Sequence, residues 1–144
     1  MKIAIASDHN GFNLKKFIVK HMKDIEFIDF GPSSKESTDD YVDYAFKLGE
    51  YCAKNNVKGI LICGSGIGMS IAANKVKGVR CGRVASIKDT IATRKDNDVN
   101  IIAFSGEINE ERALRIIEEF INTEFDSDER HLRRINKISK YEIK

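Results

Sequence analysis

Two short stretches of this chain gather side chains able to move a proton or hold an anion: Ser7-Asp8-His9-Asn10-Gly11, and Cys63 followed by Gly64-Ser65-Gly66-Ile67-Gly68-Met69. A cysteine acts as base or nucleophile only as the thiolate, and at the mouth of a helix its pKa falls from about 8.5 towards 7. A fall of one to two units needs roughly 1.4–2.7 kcal/mol of preferential thiolate stabilisation, within reach of a helix end plus hydrogen bonds. Gly64, Gly66 and Gly68 leave backbone N–H groups open to a ligand, and the helix that follows adds its positive end. Such a loop suits a phosphate or a developing oxyanion. Asp8 beside His9 pairs a carboxylate with an imidazole that can orient a hydroxyl and carry protons. Each feature also has a purely structural reading. Tight strand-to-helix turns use glycine, cysteines that end buried strands are commonly inert packing, and aspartate caps turns beside exposed histidines.

Several function classes drop out. The glycine loop follows the third strand-like segment rather than the first and has no later acidic residue at a ribose-binding position, so it is a poor dinucleotide fingerprint. A phosphoacceptor role for Asp8 needs an acidic pair there and an aspartate where Cys63 stands. Cys52, Cys63 and Cys81 lack the spacing of a disulfide framework or a zinc site, and Cys52 and Cys81 read as core. Lys+Arg 24 against Asp+Glu 22 gives a formal charge of +2, and no aromatic–basic stripe argues for nucleic acid. The basic excess after Asp128 (Arg130, Arg133, Arg134, Lys137, Lys140 and Lys144) can meet an anion or simply be solvated. Met1-Lys2-Ile3-Ala4-Ile5-Ala6 opens as a strand without a signal-peptide core, and no apolar run reaches membrane-spanning length. A cytoplasmic, reduced protein with no membrane partner is the expectation.

The elements that must position these residues alternate along the chain. Lys2 to Ala6, Glu26 to Phe30, Val57 to Cys63, Gly78 to Val84 and Asn100 to Phe104 read as strands. Between them fall helical patterns: Leu14, Phe17, Ile18 and His21/Met22; then Tyr41, Ala45, Leu48 and Cys52; then Ala113, Ile116, Ile117, Phe120 and Ile121. A charged helix from about Arg130 to Tyr141 carries sparse apolar positions at Leu132, Ile135 and Ile138. Five strands alternating with helices predict one α/β domain over 1–144, a parallel sheet covered on both faces. Ligands of such sheets bind outside the carboxyl ends of the strands, where both stretches fall.

Together these residues resemble a known family. Ser7-Asp8-His9-Asn10-Gly11-Phe12-Asn13-Leu14-Lys15 is similar to the "SDHAGFxLK" opening of the ribose-5-phosphate isomerase B / galactose-6-phosphate isomerase family. Ile62 through Lys75 is similar to its "ICGTGIGMSIAANK" segment, and Asp40-Tyr41, Asn97-Asp98 with Asn100, and Arg130-His131 with Arg134 match further along. The resemblance implies a Rossmann-like three-layer α/β/α subunit with a five-stranded parallel sheet. It implies a homodimer, with pairing into tetramers left open, and an active site between subunits. It implies interconversion of ribose 5-phosphate and ribulose 5-phosphate through an enediolate, with no cofactor and no metal. Carried onto this sequence, Cys63 takes the C2 proton of the open-chain aldose. Backbone amides from Gly64 to Gly68 (Gly64, Ser65, Gly66, Ile67 and Gly68) stabilise the enediolate, each well-placed donor contributing roughly 3–4 kcal/mol. Asp8 and His9 hold hydroxyls or phosphate, Tyr41 lines the pocket and Asn97 contacts the enediolate oxygens. Arg130 and Arg134 bind phosphate, a role that guanidinium forks suit, with Arg130 and His131 reaching in from the partner subunit.

The chain departs from the family pattern at three points. The position before Asn97, commonly a histidine credited with ring opening, is Asp96, and an unperturbed aspartate (pKa about 3.9) is a poor proton donor at neutral pH. Ring opening then falls to Asp96 or His9. An arginine after the fifth strand is Glu107, with Arg112 nearby, and a proline after Tyr41 is Val42. Isomerisation of a six-carbon phosphate (allose or galactose 6-phosphate) is the same chemistry in another pocket. A non-catalytic phosphosugar-binding relative is a further alternative, though binding alone needs no thiol.

Overall fold

β3 (Lys58–Cys63) is apolar and buried from Gly59 onward because it lies between two neighbours and under helices on both faces. Around it, the computed structural model describes residues 1–35 and 38–144. Among these residues the elements run β1 (Lys2–Ser7), α1 (Phe12–His21), β2 (Glu26–Asp29), α2 (Tyr41–Asn55), β3 and α3 (Ile67–Ala73). There follow β4 (Cys81–Arg83), α4 (Ile87–Asn97), β5 (Ile101–Ser105), α5 (Glu110–Asn122) and α6 (Glu129–Glu142). The strands form one five-stranded sheet in the order β2-β1-β3-β5-β4, and every pairing is parallel. The strand order reverses between β1 and β3, which opens a crevice at their carboxyl ends. The three-layer α/β/α fold expected from the sequence is the fold observed.

Side-chain alternation along the strands assigns the two helical layers. Ile3 and Ile5 point to one face with Ile60, Ile62, Ile102 and Phe104, where Leu14 and Ile18 of α1 and Ile116, Ile117 and Phe120 of α5 cover them. Ala4 and Ala6 point to the other face with Leu61, Cys63 and Ala103, under Leu48 and Cys52 of α2 and Met69 and Ala73 of α3. The small residues on this second face let α2 and α3 approach closely. The α1 face is fixed at its rim by Lys15, whose side chain is 2% exposed and whose Nζ donates to Asp29 Oδ1 at 2.8 Å and to the Pro32 carbonyl at 2.7 Å. An ammonium buried that deeply requires both partners.

Two elements differ from their expected form. The strand expected from Gly78 to Val84 is only Cys81–Arg83. Gly78 turns at φ +87°, the Arg80 N–H donates to Asn100 Oδ1 rather than to a ladder, and the Asn74 amide exchanges two hydrogen bonds with the Cys81 backbone. Side chains thus finish an edge that strand pairing leaves open. On α6, only Ile135 of the three apolar positions is buried; Leu132 and Ile138 are 45% and 51% exposed.

The carboxyl-end loops interlock through glycine. A Cβ on Gly11 would lie 2.6 Å from Ile62 Cγ2, one on Gly66 2.7 Å from Phe104 Cα, and one on Gly106 2.5 Å from the Asn10 carbonyl oxygen. Gly64, by contrast, would meet nothing closer than Asn10 Nδ2 at 3.5 Å. Gly106→Ala is therefore expected to cost roughly 1–3 kcal/mol through forced backbone movement, and Gly64→Ala less than about 0.5 kcal/mol. Urea denaturation of both variants checks this, and equal midpoints would show that the interlock is not tight.

Candidate active site

At the end of β1 the chain turns on Asp8. Its carboxylate Oδ1 accepts the N–H groups of Asn10 at 2.9 Å and Gly11 at 3.1 Å, and its own N–H donates to the Ile62 carbonyl at 3.1 Å. That last bond sets the first loop directly beside Cys63. His9 faces outward, its side chain 48% exposed, with Nδ1 3.3 Å from Asp39 Oδ1. Asp39 Oδ2 in turn accepts the Tyr44 hydroxyl at 2.8 Å. This carboxylate orients the imidazole. Asp39 escaped the sequence reading because its only signal is its place just before Asp40-Tyr41.

Cys63 closes β3 and is 5% exposed. Its Sγ accepts the Gly66 N–H at 3.1 Å, and its carbonyl accepts the Gly106 N–H at 2.8 Å. Gly66 reaches this position with φ +79°, a left-handed conformation that glycine adopts without strain. The Ile67 N–H donates to Ser65 Oγ at 3.1 Å. Two of the amides expected to face a ligand, those of Gly66 and Ile67, are thus engaged inside the turn. α3 itself has seven residues, so the turn's own N–H groups are the principal donors at this end. Tyr41 packs over the loop: a Cβ on Gly68 would fall 2.5 Å from its Cζ. A guanidinium also arrives that the sequence reading did not single out. Arg83, at the carboxyl end of β4, donates from Nε to the Ser65 carbonyl at 3.2 Å. Its signal was a cation near the carboxyl end of the fourth strand-like segment, which also holds Arg80. Glu107 stands exposed after Gly106, with its N–H on Ser105 Oγ at 3.1 Å.

The other expected site residues lie at the opposite edge of the sheet. Asp96 and Asn97 end α4, where the Asn97 carbonyl accepts Arg80 Nε at 2.9 Å, ahead of β4. Strands of this length rise about 3.3 Å per residue, which separates the two edges by roughly 15–20 Å. At the amino edge Arg130 is 67% exposed with Nε 3.4 Å from Asp128 Oδ1, and Arg134 is exposed one turn further on. His131 stands between two carboxylates, Nδ1 at 3.0 Å from Asp126 Oδ2 and Nε2 at 3.7 Å from Asp96 Oδ1. The Asp126 carboxyl is held below the usual range by the Asp128 N–H first and by His131 next. Within one chain, then, Asp8, His9, Tyr41 and Cys63–Gly68 share the carboxyl edge, whereas Asp96, Asn97, Arg130, His131 and Arg134 do not join them.

A thiol, an imidazole and backbone amides thus meet at the switch point of a parallel α/β sheet, and the family and relatives that match the chain make it an enzyme of the aldose–ketose isomerase class. The chain belongs to the ribose/galactose isomerase family, whose model matches residues 3–138. It is 41% identical over 145 residues to the "Probable ribose-5-phosphate isomerase B" of Mycoplasma genitalium, covering 97% of this chain and 95% of that one. Among solved structures, the ribose-5-phosphate isomerase B of Clostridium thermocellum superposes with a TM-score of 0.93 at 39% identity, covering 99% and 98% of the two chains. The Mycoplasma genitalium enzyme, solved with ribulose-5-phosphate bound, also gives a TM-score of 0.93 at 39% identity, covering 99% and 97%.

The remaining two thiols are inert by burial, which pushes Cys52 and Cys81 up to about 12. Below that range both stay protonated. Iodoacetamide at pH 8 is therefore expected to modify the native protein at Cys63 and to leave Cys52 and Cys81 untouched, as read by peptide mass mapping. Equal labelling of all three would contradict this ordering.

Proposed function

We propose that the chain interconverts ribose 5-phosphate and ribulose 5-phosphate, with Cys63 as the base. The observation that carries this is the Cys63 sulfur at the crevice, accepting the Gly66 N–H at 3.1 Å beside the Asp8-His9 loop. The thiolate removes the C2 proton of the open-chain aldose, leaving an enediolate. The N–H groups of Gly64, Ser65 and Gly68, with the Ser65 hydroxyl, receive the developing charge. A proton passes from O2 to O1, and the Cys63 thiol returns its proton to C1 to give the ketose. His9, aligned by Asp39, holds a sugar hydroxyl or phosphate oxygen, and Tyr41 walls the pocket. Thiolate and amides carry the charge at each stage, so this route needs no metal and no cofactor.

The second half of the site comes from another copy of the chain in this reading. A two-fold dimer that sets the carboxyl edge of one subunit against the amino edge of its partner brings Asn97, Arg130 and Arg134 to the sugar and its phosphate. Exposed apolar side chains support such a contact: Ile67 and Ile71 on α3 are 51% and 59% exposed, and Leu132 and Ile138 stand out from α6. Three unpaired cysteines fit the reducing cytoplasm.

Purified protein given ribose 5-phosphate and a chelator is expected to form ribulose 5-phosphate at on the order of 1–10³ s⁻¹. Turnover only on allose or galactose 6-phosphate would move the substrate and keep the chemistry. Cys63→Ser is expected to lower kcat roughly 10²–10⁴-fold with an unchanged melting temperature, and near-normal turnover would remove the thiol from its role. A co-assembled mixture of Cys63→Ser with Arg130→Ala/Arg134→Ala is expected to recover about a quarter of wild-type activity, since half the dimers are mixed and each carries one intact site. No recovery would place both halves in one subunit.

A further inference from the structure

We infer that Arg83 is a positioning residue for the catalytic turn: through the Ser65 carbonyl it orients and polarises the peptide unit whose N–H is bonded to the Cys63 sulfur. This rests on the isomerase reading above, in which that sulfur is the base.

The Ser65 C=O and the Gly66 N–H belong to one planar peptide, in which the two groups point in opposite directions. Arg83 Nε donates to the oxygen at 3.2 Å, and the nitrogen donates to Cys63 Sγ at 3.1 Å. Guanidinium, peptide and sulfur are thus joined in one chain of hydrogen bonds, and the members of such a chain polarise one another. A cation at its far end favours the thiolate over the thiol. The neighbouring carbonyls of the turn are held by neutral donors: Cys63 by the Gly106 N–H at 2.8 Å, Gly64 by Ser105 Oγ at 2.7 Å, and Gly66 by the Ser70 N–H at 3.2 Å. Among the described residues Arg83 is the one cation bonded to the turn, and no carboxylate pairs with its guanidinium.

The same bond restrains a peptide that could otherwise rotate. Gly66 sits at φ +79°, and glycine passes between positive and negative φ at little cost. Rotation of the Ser65–Gly66 peptide would turn its carbonyl towards the sulfur and its N–H away. A partner on the Ser65 oxygen opposes that rotation, and among the described residues Arg83 alone supplies one. The titratable groups on the surrounding elements are Asp8 and His9 on the β1 loop, Tyr41 on α2 and Glu107 after β5. Cys52 and Cys81 share the Cys63 face of the sheet and stay protonated in their burial. Asp8 takes the Asn10 and Gly11 N–H groups, and His9 stands against Asp39. The carboxylates of Asp8 and Glu107 disfavour a thiolate beside them, and Arg83 offsets that.

Arg83 is exposed at the last residue of β4, so replacing it leaves the core untouched. Arg83→Met keeps the apolar stem and removes the charge and the donor, whereas Arg83→Lys keeps a cation. The full-length variants are treated with iodoacetamide from about pH 6 to about pH 10. Modification of Cys63 is read by peptide mass mapping, alongside kcat and KM for ribose 5-phosphate. Without the cation the thiolate is harder to form. The midpoint of Cys63 labelling is therefore expected to rise by about 0.5–1 unit in Arg83→Met, slowing labelling at pH 7 roughly 3–10-fold. At that pH kcat is expected to fall by about the same factor with KM within about twofold, and kcat to recover as the pH is raised. Arg83→Lys is expected to hold the labelling midpoint within about 0.3 unit of the unmodified protein. An unmoved midpoint in Arg83→Met, or equal shifts in the two variants, would overturn the assignment. So would a raised KM at constant kcat, which would make Arg83 a substrate contact instead. Absence of turnover in the unmodified protein would overturn the isomerase reading and the part of Arg83 in catalysis, while the labelling profile would still decide its link to the sulfur.

Discussion

Three loops at the carboxyl end of the sheet lock together through close backbone approach, and this steric constraint fixes the half of the site that holds Asp8, His9 and Cys63. The β1 loop lies on β3 at Gly11, the β3 turn lies on β5 at Gly66, and the β5 loop lies on the β1 loop at Gly106. None of the three contacts leaves room for a methyl group. Hydrogen bonds follow the same circuit, from the Asp8 N–H to the Ile62 carbonyl and from the Gly106 N–H to the Cys63 carbonyl. Because interiors are close-packed and transmit strain, the backbone circuit holds Cys63 in register with the Asp8-His9 loop, and the Gly66 N–H on its sulfur completes the placement.

The layers beneath serve that edge. Isoleucines on one face of β1, β3 and β5 meet α1 and α5, while alanines and the Cys63 side chain on the other meet α2 and α3. The small face draws α2 close enough for Tyr41, at its first turn, to lie against Gly68. Lys15 does comparable work on the α1 side, where its buried ammonium joins Asp29 and the Pro32 carbonyl and so fixes the start of the segment that leads to Asp39.

Much of this was legible from residue patterns. The apolar run into Cys63, the spacing of Tyr41, Ala45, Leu48 and Cys52, and the glycine turn each mark one element by local chemistry, and each element is found where its pattern falls. β4 was not legible in length, because its edge is completed by the side chains of Asn74 and Asn100 rather than by strand residues. The carboxyl half of the site was legible from local chemistry, whereas the residues of the other half were named through family resemblance and sit apart from Cys63 within one chain. Asp39 and Arg83 act through pairings that only the tertiary structure creates. The separation of Asp96, Asn97 and Arg130–Arg134 from Cys63 follows from α4 running back across the sheet, a consequence of topology that no motif spacing records.

The interlocked loops also bear on how a protein of this kind can change over generations. Turns whose main chains touch at Gly11, Gly66 and Gly106 tolerate neither an inserted residue nor a bulkier one, so the length of the crevice floor is frozen. A lineage that came to favour a longer or shorter sugar would have to find the space at the walls, in the side chain of Tyr41, in the approach to Asp39, or on the solvent-facing helix α6. Divergence of specificity on this scaffold proceeds by substitution at the periphery, and indels would accumulate only away from the carboxyl edge.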